Sequence, residues 1–305
     1  MYDLVVLGGG SAGYSAAMAA LKFKKKICVI EKGPFGGLCI LKGCMPSKTL
    51  IYSARIAEII KKSKNFGINI KGNITINAAQ IIDRKNKIIK GFADYRKEII
   101  EKKKDIDLIY GEAKFISKNE VIVNNKVVKG KNILISTGSK EFVPEIQGLK
   151  EAGYIVSDDA LELKRFPKNI AILGAGPVAI ELGYYFKSLG VKTTIIQRSE
   201  QILSSNDYDC AKELENALKK KGIEIYTNTS IKKISKDIKG KIVIFNHNNK
   251  ENQIVVEEIL VAFGRKPNIE SLNLEKAGIK LEKGIIKNNN YLQTNVKNIY
   301  IAGDS

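Results

Sequence analysis

Two stretches of this chain repeat one pattern, and the repeat narrows the folds open to it. The first runs DLVVL (3–7), GGGSAG, YSAAMAALKF and then KKICVIEK. The second, NIAILGAGPVAIELGYYFKSLGVKTTIIQRS, begins at Asn169. Each reads as a buried strand, a glycine turn, a helix and a second strand, the context in which G-x-G-x-x-G binds a dinucleotide. In the first, Gly8 allows the tight turn, Gly10 lets a pyrophosphate approach the backbone, and Gly13 lets helix and strand pack closely. Ser11 and Ala12 lie within that turn, and the N-terminus of the helix that follows offers free N–H groups and a positive dipole end to phosphates. Gly174, Gly176 and Ala179 hold the same places in the second, with Pro177 and Val178 between them. Ala179 in place of glycine widens the helix–strand packing slightly. The repeat predicts an α/β chain with two Rossmann-like three-layer dinucleotide-binding domains. Two such sites imply two dinucleotides, one held permanently and one exchanging. A chain of 305 residues is long enough for both cores.

The end of each unit's second strand bears on the nucleotide. The first unit's strand ends on Glu31, a carboxylate placed to accept hydrogen bonds from ribose hydroxyls, with Lys32 after it. The second unit's strand ends Ile196-Gln197-Arg198. An acid where Gln197 stands would hold the ribose of NAD and repel a 2′-phosphate, whereas an arginine attracts that phosphate bidentately. The second site is therefore read as favouring NADP(H) over NAD(H).

Between the fingerprints lies GGLCILKGCMPSK (36–48), with Cys39 and Cys44 among glycines, a proline and a lysine. A close cysteine pair is a two-electron redox device, and in a reducing compartment it is more often catalytic or metal-binding than a staple. Zinc needs further ligands, and the single histidine, His247, is read in a distant Asn-rich loop, so no metal site is assigned. Of the four cysteines, Cys28 in ICVI and Cys210 in an expected helix read as structural. Gly36 and Gly37 let the backbone approach a flat ligand. Pro46 suits the first turn of a helix carrying TLIYSARIAEIIKK. Cys44 then sits near a helix N-terminus, where the dipole favours a thiolate, and Lys48 adds positive charge one turn on.

The stretch resembles the redox-active segment of the class I pyridine nucleotide-disulfide oxidoreductases, which include dihydrolipoamide dehydrogenase, glutathione reductase and mercuric reductase. The four-residue spacer and trailing Pro46-Ser47-Lys48 carry the match; Leu38 departs from it, where the family has threonine. The resemblance implies FAD in the first site and NAD(P) in the second. It makes Cys39 the interchange thiol that meets substrate and Cys44 the thiol facing the flavin. Lys48 would lie near the flavin and pair with Glu181, which would lie near the nicotinamide. Cys39, Cys44, Lys48 and Glu181 are thus the implied catalytic set. Gly37, Gly111 and Ala113, and then Thr137 and Gly138 in STGS, match FAD-domain segments, although Glu141 replaces a family proline after the last. Gly264 and Arg265 match the turn that closes the second domain. Gly303 and Asp304 resemble the motif that returns to the flavin.

On that reading residues 1–150 form the FAD-binding domain, 151–272 the inserted NAD(P)-binding domain, and 273–305 the return. The implied activity carries hydride from nicotinamide through FAD to the Cys39–Cys44 pair and on to a small disulfide or thiol substrate. The family forms homodimers through a further domain that supplies a His–Glu pair to the partner subunit. The chain is expected to lack that domain, as a truncated product. Competing readings are a flavin-binding remnant with diaphorase-type activity only, and a mercuric-reductase-like, NADPH-dependent metal-ion reductase.

The net charge of +19 also admits a nucleic-acid or membrane-surface partner. The lysines are dispersed, with short clusters such as Lys24-Lys25-Lys26, and carry no nucleic-acid motif. No nucleic-acid or membrane partner is expected. Residues 77–104 read as a long amphipathic helix with apolar positions at Ile81, Ile82, Ile88, Ile89, Phe92, Tyr95, Ile99 and Ile100. With no spanning apolar run and no signal-like start, a cytoplasmic location is the default.

Overall fold

The computed structural model describes residues 1–305. The chain divides into two compact units: Met1–Met45, Lys87–Lys140 and Arg265–Ser305 make the first, Pro46–Asn86 and Glu141–Gly264 the second. The units change over near residues 45, 86, 140 and 264, whereas the motifs alone place the breaks at 150 and 272.

In the first unit, β1 (Tyr2–Leu7), α1 (Ser11–Leu21) and β2 (Ile27–Glu31) form the expected strand–helix–strand. The short α2 (Gly37–Leu41), the long α3 (Cys44–Lys62) and α4 (Ala78–Glu101) come next. Then come β3 (Ile106–Tyr110), β4 (Lys114–Ser117), β5 (Glu120–Val123) and β6 (Lys126–Ile135). The sheet order is β3-β2-β1-β6-β5-β4, and the strand Ile299–Ile301 joins β6 in parallel. KVVKG and KNILI form one continuous strand: the first half of β6 runs antiparallel to β5 and the second half parallel to β1.

Side chains alternate across this sheet. Val6, Val29 and Leu134 face Ala17 of α1 and Ile100 of α4. Val5, Leu7, Ile30, Ile133 and Ile135 face Phe115, Val121 and the C-terminal residues Ile269 and Leu274. Burial on both faces accounts for the near-continuous apolar runs of a parallel sheet. A short strand β7 (Ser139–Glu141) pairs with Arg265–Pro267.

The second unit repeats the plan. After the single-turn helices α5 (Leu149–Ala152) and α6 (Ser157–Ala160) come β8 (Asn169–Leu173), α7 (Pro177–Ser188), β9 (Lys192–Ile196) and α8 (Tyr208–Lys220). The strands β10 (Glu224–Tyr226), β11 (Thr229–Asp237), β12 (Gly240–His247), β13 (Lys250–Val256) and β14 (Glu258–Val261) complete it. A parallel sheet, β10-β9-β8-β14, lies between two layers. Ile170, Ile172 and Ile195 pack with α7, with Leu218 of α8 and with Leu50, Ala54 and Ala57 of α3. Ala171, Leu173 and Val261 pack with Ile234, Val243 and Phe245 of the β11-β12-β13 sheet.

Two sequence expectations need correction. On α4, Ile82, Ile89 and Ile100 are buried, but Phe92 and Tyr95 are exposed. An apolar stripe wide enough to include them exceeds the face that neighbouring elements cover. His247 is not in a loop: it ends β12 opposite Thr229, and its Nδ1 meets the Thr227 carbonyl oxygen at 2.9 Å. No helix is long and apolar enough to cross a membrane.

Candidate active site

Four strands of the first unit end together. Leu7 of β1 pairs with Ile30 and Ile135, and Ile135 pairs with Ile301. Their carboxyl ends therefore share one edge, where open α/β sheets bind ligands. Gly10, the N-cap of α1, offers no side-chain acceptor to the helix start. The first-turn N–H groups around Ser11, Ala12 and Gly13 thus lack a side-chain acceptor and favour an anion. Gly37 lies against Gly10, with φ of 68°, and a Cβ there would strike the Gly10 Cα. This contact brings the cysteine segment onto the first fingerprint turn.

The other first-unit residues singled out from sequence gather at the same edge. Both carboxylate oxygens of Glu31 accept backbone hydrogen bonds, Oε2 from Gly9 at 2.7 Å and Oε1 from Gly33 at 3.0 Å. Gly111 donates its N–H to the Glu31 carbonyl oxygen at 2.8 Å, and Ala113 is buried two residues on. Lys32 forms an ion pair with Glu112 at 2.7 Å. Gly138 donates to Ser305 Oγ at 3.0 Å, and Gly303 lies beside Ala12. Thr137 Oγ1 is buried without a hydrogen-bond partner. Asp304, next to Gly303, is exposed. An uncapped helix start beside a glycine turn, a carboxylate at the end of β2 and an orphaned hydroxyl suit a bound dinucleotide.

Cys39 lies in α2 and is partly buried; Cys44 is the first residue of α3 and is exposed. No disulfide joins them, and the two thiols hydrogen-bond to each other. Burial raises the Cys39 pKa, as do the hydrogen bond and charge of Cys44, while the Arg96 guanidinium pulls it down. The 19 residues of α3 put a full helix dipole behind Cys44.

In the second unit α7 also begins without a side-chain cap, at Gly176, and Pro177 takes its first turn. A Cβ added at Gly176 would meet nothing within 4 Å, so space for a ligand is open there. Val178 is exposed, and Ala179 is buried where the third glycine of the pattern stands. Gly174 needs its glycine: its φ is 104°, and a Cβ would lie 2.5 Å from the Ala262 oxygen. Glu181 is held by an ion pair to Lys48, and Ser47 Oγ donates to its Oε2 at 3.3 Å. At the end of β9, Gln197 donates its N–H to the Tyr226 carbonyl, and the Arg198 side chain is exposed. Gly264, with φ of 107°, accepts the Phe142 N–H at 3.0 Å.

Three side chains escape a reading of the sequence. Ser47 stands out there only as part of a motif, yet it touches Glu181. Glu58, one of the polar residues of an amphipathic helix, accepts hydrogen bonds from Tyr184 and Ser188 of α7 and from Lys221. Arg96 stands seven residues after Ile89 on the stripe that α4 buries. That spacing is its only sequence signal.

Known proteins resemble the chain along nearly its whole length. The pyridine nucleotide-disulphide oxidoreductase profile matches residues 2–305. A mercuric reductase of Staphylococcus aureus is 36% identical over 304 residues, covering 99% of this chain and 55% of that protein. A dihydrolipoyl dehydrogenase of Acholeplasma laidlawii is 37% identical over 307 residues, covering 99% and 89%. Among solved structures, the HOCl-induced flavoprotein disulfide reductase RclA from Escherichia coli superposes with a TM-score of 0.87 at 29% identity. That match covers 99% of this chain and 66% of the neighbour. The chain thus spans little more than half of the mercuric reductase and just under two thirds of the structural neighbour. A match along its whole length, with both fingerprint turns and the cysteine pair in place, puts the chain in the pyridine nucleotide-disulphide oxidoreductase family.

Proposed function

We propose that the chain is an FAD-dependent NAD(P)H:disulfide oxidoreductase of the dihydrolipoyl dehydrogenase kind, acting on a small disulfide or thiol. The observation that carries this is the hydrogen-bonded Cys39–Cys44 dithiol on a segment whose Gly37 packs against Gly10 of the first fingerprint turn. Bound FAD and a reduced pyridine nucleotide would supply the two electrons that regenerate the dithiol.

The chain's own groups account for the rest. The N–H groups of α1 and α7 would bind the two pyrophosphates. Cys39, once deprotonated, attacks a substrate disulfide; a new S–S bond forms and one substrate thiolate leaves. Cys44 then attacks the Cys39 sulfur. The second substrate thiolate leaves, and an internal Cys39–Cys44 disulfide closes. The substrate has gained two electrons and the pair has lost them. The ion pair with Lys48 would hold Glu181 at the second nucleotide site. The exposed Arg198, with Gln197 in place of an acid, supports NADPH over NADH.

A metal-ion reductase is the second reading, favoured by the 36% identity to a mercuric reductase and by a dithiol suited to soft cations. The purified chain should be yellow and should oxidise NADPH faster than NADH. Adding lipoamide, oxidised glutathione or Hg(II) in turn separates the substrate classes. Electron transfer to dyes or oxygen alone would leave only the diaphorase reading, and absence of bound flavin would sink the proposal.

A further inference from the structure

Arg96 is an unusual residue for its position. The buried stripe of α4 carries Ile82, Ile89 and Ile100, and Arg96 falls on it at a seven-residue step from Ile89. The guanidinium carbon lies 4.6 Å from the centre of the Tyr14 ring, a cation–π contact. Tyr14 is held in turn by Phe35, edge to face at 6.5 Å. Nη1 is buried and has no hydrogen-bond partner. A buried cationic N–H without an acceptor is costly unless an anion forms beside it.

The group that can become that anion is Cys39. α2 packs against α1, the helix that carries Tyr14. The ionisable groups that act on the Cys39 thiol are Cys44 from α3 and Arg96 from α4, with Lys42 three residues along the chain. Burial and the Cys44 side chain oppose ionisation of Cys39, whereas the Arg96 charge and the Cys44 backbone N–H favour it. We propose that Arg96 is a positioning residue for the redox pair: held over Tyr14 beside Phe35, which leads into the cysteine segment, its unpartnered guanidinium stabilises the Cys39 thiolate. The chain would then carry its own cation for the thiol that meets substrate. This rests on the interchange role proposed above for Cys39.

The test measures ionisation directly and does not depend on turnover. The reduced full-length chain is alkylated with iodoacetamide over a range of pH, and each cysteine is followed by peptide mass. In Arg96→Met the Cys39 profile should move to higher pH, with labelling at neutral pH slowed about tenfold, as expected for loss of a neighbouring opposite charge. Arg96→Lys should restore much of the rate. Tyr14→Leu, which keeps the charge but removes its support, should shift Cys39 in the same direction by less and covers the case in which Arg96→Met fails to fold. Exposed Cys210 serves as the internal control and should not move. A Cys39 profile unchanged in both Arg96→Met and Tyr14→Leu would overturn the assignment. So would loss of bound flavin with Cys39 unchanged, which would assign the guanidinium to a cofactor phosphate instead. Failure of NAD(P)H-dependent reduction with the alkylation shift present would count against the proposed function alone.

Discussion

Lys48 and Glu181, separated by 133 positions, form an ion pair, and the neighbouring Ser47 hydroxyl binds the other carboxylate oxygen of Glu181. The helix that starts at Cys44 is thereby tied to the helix that starts at the second fingerprint turn. Glu58 makes a second tie two to three turns further along α3, through Tyr184, Ser188 and Lys221. Between the two ties, Leu50, Ala54 and Ala57 fill the apolar contact.

Replacing Glu181 by Gln, or Lys48 by Met, should slow reduction of the flavin by NAD(P)H by about tenfold or more, because a positioned group is lost. Thermal stability should change by less than ~1 kcal/mol, since the Lys48 side chain is 58% and the Glu181 side chain 34% exposed and solvent screens the pair. Stopped-flow flavin absorbance and a melting curve on the same samples check both parts. A large loss of stability with normal flavin reduction would make the pair structural only.

Arg198→Glu should exchange the cofactor preference. The exposed guanidinium favours a 2′-phosphate and a carboxylate repels it. The ratio of kcat/KM for NADPH to that for NADH should fall by about tenfold or more. An unchanged ratio would remove Arg198 from the nucleotide site.

Cys28 gives the protein an alkaline limit. Burial first, and then the charge of Asp107, raise its thiol from 9.0 to about 12. The folded chain keeps this proton where the unfolded chain releases it. The stabilisation is therefore complete below pH 9.0 and is lost progressively as pH rises towards about 12. Urea midpoints of the wild type should fall over that window, and Cys28→Ala should flatten the fall while lowering stability at neutral pH. Equal slopes for the two proteins would refute this account.

Tyr185 is wholly buried beside Phe166 and Phe186, and its hydroxyl has no partner. Removing an unsatisfied buried hydroxyl while keeping the ring should raise stability by about 1 kcal/mol. Chemical denaturation of Tyr185→Phe measures it. Destabilisation would mean that the hydroxyl has a bonding partner in solution.

The features legible along the chain are short-range. Gly8, Gly10 and Gly13, and Gly174, Gly176 and Ala179, act within one strand–turn–helix, so spacing alone locates both nucleotide turns. Cys39 and Cys44 are legible for the same reason, and Pro46 marks the helix start at Cys44. Phe92 and Tyr95 are misplaced by periodicity, which finds a helix but does not measure the width of its covered face. His247 reads as loop because polar neighbours hide a strand end whose pairing partner, Thr229, lies on a different strand.

The sequence by itself therefore determined the two strand–turn–helix units, the cysteine segment and the family resemblance, since each is encoded in contiguous residues under local steric rules. Tertiary structure alone decided which polar side chains meet. Arg96 reaches Tyr14, Ser47 reaches Glu181, and Glu58 reaches Lys221, because helix faces from distant parts of the chain are pressed together by apolar burial. No local pattern records which face that will be.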